Sequence, residues 1–135
     1  MKKLIILTLL NIYSVISYSQ DRTYLLSSHI LDISMGKPAP GVPVKLEHLD
    51  TKTGAWTFTD QKKTDSNGRI PNFLETGKTE KGIYRLTFLT NEYFHSRNIE
   101  SFYPFIEVVF KIGEDSHYHV PITLSPYGYS TYRGN

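Results

Sequence analysis

Cysteine is absent from all 135 residues, and the absence excludes several classes of protein at once. There can be no disulfide framework, no lipid-modified cysteine at a mature N-terminus, no thiol nucleophile and no Cys-ligated metal. A surplus of charge is missing too. Once Lys2 and Lys3 are set aside, 13 Lys and Arg (15 minus 2) stand against 13 Asp and Glu, so no basic excess marks nucleic acid as a partner. No helical period is sustained, and no repeat, low-complexity tract or linker interrupts the chain. The length suits one domain with a respectable core and leaves no room for a second. Lacking disulfides, such a domain rests on core packing or on oligomerisation.

The first twenty residues differ in kind from the rest. Lys2 and Lys3 precede an apolar run from Leu4 to Ile16, and Ser17-Tyr18-Ser19 then places small residues where a leader is cut. This is the pattern of a secretory signal peptide. The run is shorter than the roughly 20 apolar residues a bilayer span needs, so cleavage is expected after Ser19 or Gln20, with residues 1–19 removed, residues 20–135 forming the mature domain and no membrane attachment afterwards. A bacterial periplasm is the expected location.

From Leu25 onward the chain reads as short β-branched and aromatic segments separated by Gly, Pro, Asn and Asp, as in a sandwich or barrel. Strands are predicted over Leu25 to Ile33, Val42 to Leu49, Trp56 to Thr64, Arg69 to Phe73, Ile83 to Leu89, Phe105 to Ile112, His117 to Leu124 and Tyr129 to Arg133. Gly36 to Gly41, Asp65-Ser66-Asn67-Gly68 and Glu80-Lys81-Gly82 supply turn chemistry. One brief helix is predicted, with Thr90 as N-cap, Asn91 and Glu92 in its first turn, and an extension toward Arg97.

Alternation along a strand sends successive side chains to opposite faces. Between His117 and Leu124, the set Tyr118, Val120, Ile122 and Leu124 is continuously apolar and is predicted to face the core. His117, His119, Pro121 and Thr123 then point away from it. In the first strand Ile30 is the core residue, and His29 lies on the other face beside Leu31. A face bearing Leu31, His119 and Pro121 is neither plainly solvent-facing nor core, which suits a binding groove or a subunit interface.

Five segments match one family in order: Leu26-Ser27-Ser28-His29-Ile30-Leu31-Asp32, Asn67-Gly68-Arg69-Ile70, Gly82-Ile83-Tyr84-Arg85-Leu86, Phe102-Tyr103-Pro104, and the long block from His117-Tyr118-His119-Val120-Pro121 through Tyr132-Arg133-Gly134. On these the chain closely resembles the 5-hydroxyisourate hydrolases, the enzymatic relatives of transthyretin, from about Leu25 to the last residue. The resemblance implies an all-β, transthyretin-like (prealbumin-like) sandwich of two four-stranded sheets with one short helix. It further implies a homotetramer built as a dimer of dimers, with active sites in the channel between dimers. His29, Arg69 and His119 fall on the family's catalytic positions, and Tyr132, Arg133, Gly134 and Asn135 on its terminal Tyr-Arg-Gly-Ser signature, here taken as substrate-binding. Asn135 replaces the usual Ser; its amide is bulkier and can both donate and accept.

The implied reaction hydrolyses a purine-derived small molecule, 5-hydroxyisourate, to 2-oxo-4-hydroxy-4-carboxy-5-ureidoimidazoline, with no cofactor and no metal. Water is a poor nucleophile near neutral pH, and a neutral imidazole is a base matched to that task. His119 and His29 would orient and deprotonate the water and return a proton to the departing ring nitrogen. Arg69 and Arg133, as permanently charged forked donors, would hold the flat ring and the developing oxyanion.

Each of these residues also has an ordinary structural explanation. A lone strand histidine such as His29 is commonly structural, and Arg69 after Asn67-Gly68 would by itself be a solvated turn residue. His117 and His119, two apart on one strand face, have the spacing of two zinc ligands, but no third ligand with convincing spacing accompanies them. His117 stays open between an accessory and a surface role, while His48 and His95 are most simply surface residues. Tyr127 and Tyr129 are routine strand and corner aromatics. A non-catalytic carrier with the same sandwich, as transthyretin is, is the main alternative, and a generic exported sandwich used for adhesion is a further one; neither requires a His/Arg/His set.

Overall fold

A computed structural model describes residues 23–135. The expected leader lies outside the described residues. Ten strands and one helix follow in order: β1 (Tyr24–Asp32), β2 (Lys37–Pro38), β3 (Pro43–Leu49), β4 (Trp56–Lys63), β5 (Arg69–Glu75), β6 (Gly82–Phe88), α1 (Asn91–His95), β7 (Ile106–Ile112), β8 (Tyr118–His119), β9 (Ile122–Ser125) and β10 (Gly128–Thr131).

They form two sheets. One is antiparallel throughout, in the order β4-β3-β6-β7. The other is built around β1, which pairs antiparallel with β5 and β2 on one flank and parallel with β8 and β9 on the other, with β10 antiparallel to β9. Six segments thus occupy four lateral positions, matching the expected two four-strand-wide layers. Inward-facing side chains fill the space between them, including Leu26, Ile30, Leu46, Ile70, Phe73, Leu86, Phe88 and Leu124, all fully buried. Burial of this kind is the main favourable term in folding.

Burial alternates as expected from His117 to Leu124 except at Pro121, which was expected on the outer face and is buried. Tyr118, Val120, Ile122 and Leu124 are buried, His117 is exposed, and His119 and Thr123 are half-buried. The continuous strand predicted from His117 to Leu124 is instead two pieces. Pro121 has no N–H to give to the ladder, and it is itself buried at the break, where Val120 N donates to Ser27 O at 3.0 Å. The last strand stops at Thr131 rather than Arg133. β2 was hidden in the Gly36 to Gly41 turn, since two residues carry no period to read. The helix is one turn, and Thr90 occupies its N-cap position without capping it: the residue is helical (φ −84, ψ −10) and makes no side-chain cap hydrogen bond.

β5 contains the irregularity that shapes the site. Leu26 faces Phe73, yet Ser28 faces Ile70, so β5 carries one residue more than β1 between those pairs. The extra residue falls at Pro71-Asn72, where a proline is tolerated because a bulge leaves a ladder position unpaired.

Candidate functional site

The site begins with register. On β1, Ser27, His29 and Leu31 are the half-buried outward set, alternating with buried Leu26, Ser28, Ile30 and Asp32. Arg69 opens β5 directly opposite His29. The turn before it is tightly specified. Asp65 Oδ1 accepts from Asn67 N at 2.8 Å and Arg69 N at 2.9 Å. Gly68 takes φ +70, and a Cβ there would lie 2.7 Å from Ile30 O and 2.9 Å from the Pro38 Cβ, so the residue before Arg69 has to be glycine.

On the opposite flank, β8 sets His119 beside Ser27. Ser27 Oγ is 2.8 Å from His119 Nδ1 and 2.8 Å from His117 Nε2, while His117 Nδ1 lies 2.9 Å from Tyr24 O. Among the described residues no group of three His, Cys, Asp or Glu is arranged to hold a metal. The C-terminal segment then closes over β8: Gly134 N donates to His119 O at 2.9 Å. A Cβ on Gly134 would come within 2.5 Å of His119 Cδ2, so this glycine is required by close approach to the imidazole.

Ser27, Ser28, Arg69, Pro71, His117, His119 and Asn135 line a cavity of about 300 Å³. His29 is not among the lining residues; it pairs with Arg69 across the β1–β5 ladder. The expected set is therefore brought together in part: His119, Arg69 and Asn135 line one space, His29 is the ladder partner of Arg69, and Gly134 packs on the His119 imidazole. Tyr132 and Arg133 go elsewhere. They line a neighbouring cleft with Val108, Phe110, Tyr118 and Thr131, and the Arg133 guanidinium lies 4.7 Å from the centre of the Tyr118 ring. The reason is again alternation, since Tyr118 and His119 face opposite ways on β8, and the C-terminal segment follows one and then the other. Sequence reasoning missed Ser27, which stands out in the sequence only as part of the Leu26 to Asp32 motif. Its signal was available, because it shares the face of His29 two residues on.

Electrostatics favour neutral imidazoles. Burial pushes the pKa of His119 below its usual value, and the charge of Arg69 and the neighbouring His29 and His117 push it further, against a hydrogen bond to the Ser27 backbone. His29 is lowered by burial and then by Arg69, with the Asn67 backbone and the Asp65 carboxylate opposing. Two neutral imidazoles beside a fixed guanidinium can abstract a proton from water and stabilise an oxyanion.

Fold and site define a two-sheet β-sandwich with an imidazole–guanidinium centre on the outer face of one sheet. The model of the HIUase/Transthyretin family matches residues 26–134, and the chain belongs to that family. A 5-hydroxyisourate hydrolase of Salmonella dublin is 47% identical over 112 residues, 82% of this chain and 81% of that relative. Among solved structures, the Klebsiella pneumoniae 5-hydroxyisourate hydrolase is 37% identical with a TM-score of 0.72, covering 84% of this chain and all of the other. Sea bream transthyretin in complex with thyroxine is 31% identical with a TM-score of 0.76, covering 82% and 94%. With curated hydrolases as its relatives, the chain is a hydrolase.

Proposed function

We propose that this chain hydrolyses 5-hydroxyisourate to 2-oxo-4-hydroxy-4-carboxy-5-ureidoimidazoline, a step in urate degradation. The observation that carries the reading is the convergence of His119 and Arg69 on one cavity, with His29 the ladder partner of Arg69. Transthyretin shares the sandwich, so the fold alone does not separate a carrier from an enzyme; the imidazoles and guanidinium argue for the enzyme. In the proposed step His119, aided by His29, takes a proton as water oxygen bonds to the ring carbonyl carbon. The resulting oxyanion is held by Arg69. Collapse breaks the C–N bond, and the imidazolium returns its proton to the leaving nitrogen.

Asn135 is proposed to add a hydrogen bond from the cavity wall. Tyr132 and Arg133 are proposed to join the substrate site on assembly, as part of a homotetramer, because their cleft lies beside β7 and β10, one edge strand from each sheet. Export to a periplasm is proposed from the leader-like residues 1–19, with mass measurement of the mature protein as its test. For the chemistry, freshly generated 5-hydroxyisourate is followed by its ultraviolet absorbance with and without protein. Acceleration by the wild type and its collapse in His119→Asn, with the fold retained, is the expected result; equal decay in both samples would overturn the hydrolase reading.

A further inference from the structure

We infer that Ser27 and His117 are positioning residues that set the tautomer of His119, leaving its Nε2 as the proton acceptor. The inference rests on the hydrolytic reading of the cavity and adds two residues to it.

Hydrogen-bond directions run in one sense along a chain of four groups. The Tyr24 carbonyl can only accept, so the 2.9 Å contact to His117 Nδ1 makes that nitrogen the donor. In a neutral ring Nε2 then carries the lone pair, and the hydroxyl 2.8 Å away donates its single proton to it. Ser27 Oγ has spent its hydrogen and meets the second ring, His119 Nδ1, at 2.8 Å as an acceptor. Nδ1 of His119 therefore bears the proton, and Nε2 is left with the lone pair that a general base uses.

Fixing a tautomer in this way is how a third group makes an imidazole effective, since the wrong tautomer presents a donor where a base is needed. The two strands hold the array rigidly, because Ser27 and His119 are partners in the parallel β1–β8 ladder. The groups that face His119 are Arg69 from β5, His29 and the Ser27 backbone from β1, His117 two residues before it, and the backbone of Gly134. None of these offers Nδ1 a side-chain acceptor in place of Ser27 Oγ.

The test combines spectroscopy with kinetics on the full mature protein. Ring-nitrogen NMR of histidine-labelled wild type at neutral pH should show His119 protonated at Nδ1 and bare at Nε2; the opposite tautomer overturns the inference without any variant. Ser27→Ala should lower kcat by about 10- to 100-fold, as loss of an orienting partner does for metal-bound imidazoles, with KM little changed. Its His119 signals should move toward a mixture of tautomers. Ser27→Thr keeps the hydroxyl and should restore most of the activity. His117→Ala frees the serine proton to turn toward His119 and should shift the tautomer toward protonated Nε2. An active wild type with Ser27→Ala at full kcat refutes the positioning role, whereas an inactive wild type refutes the hydrolase reading itself.

Discussion

Substituting Gly134 with alanine should cut turnover sharply while leaving the fold nearly intact. The new Cβ would stand 2.5 Å from His119 Cδ2, 3.2 Å from Cγ and 3.3 Å from its Cβ. Carbon atoms rest about 3.5–4.0 Å apart, so one partner has to retreat by roughly 1 Å. If the imidazole moves, the base is displaced; a 1 Å misplacement can cost about 100-fold in rate. If the C-terminal segment moves instead, the 2.9 Å bond from Gly134 N to His119 O is lost and Asn135 leaves the cavity wall. Stability should suffer much less, because the half-buried Gly134 sits outside the core. Loss of one hydrogen bond is worth about 1 kcal/mol, or a Tm drop of about 4 °C in a domain of this size. Gly113→Ala is the control, since nothing lies within 4 Å of its Cβ. Steady-state hydrolysis and a thermal melt of both variants decide the matter. Normal kcat in Gly134→Ala would refute the claim that this contact holds the site together.

Further outcomes follow from the electrostatics. Because burial and Arg69 hold both His119 and His29 below their ordinary pKa, the neutral, active form persists below pH 6.5, the ordinary value, and kcat/KM should fall only on further acidification. An acid limb above that value would contradict the assignment. Arg69→Gln removes one of the depressing charges and should move the limb toward higher pH, on top of a large loss of rate. Away from the site, Arg85 donates to Glu47 Oε2 at 3.0 and 2.7 Å and stacks on Trp56 at 4.3 Å. Arg85→Ala leaves the Glu47 carboxylate with Lys45 alone, at 3.2 Å, and should cost about 1–3 kcal/mol in denaturant melts. Burial alone would raise the Glu47 pKa, but hydrogen bonds from Arg85 and Lys45 outweigh it and leave it lowered. That contribution is present above the unfolded value near 4.5 and is lost as pH falls through the lower folded value. The stability gap between wild type and Arg85→Ala should therefore narrow in acid.

What the amino-acid sequence determined by itself was whatever a short-range rule can carry. Period-two alternation placed Ile30, Tyr118, Val120, Ile122 and Leu124 inside and His119 outside, because adjacent strand residues must face opposite ways. Turn chemistry located the bend at Asp65 to Gly68. The limits were also local: Pro121 split a strand whose hydrophobic pattern ran straight through it, and Thr90 looked like a cap without serving as one.

What only the tertiary structure decided was who meets whom. Arg69 and His29 are 40 positions apart, and they pair because β5 carries one extra residue at Pro71-Asn72. Without that slip Arg69 would fall opposite Ile30, on the wrong parity, and its charge would be aimed away from the imidazoles. The same holds for Ser27 between two histidines some 90 residues further on, and for Arg133, which lies over Tyr118 while its neighbour Gly134 packs on His119. Register, bulges and the path of a terminal segment are set by the packing of two sheets against each other, and that is a property of the whole fold.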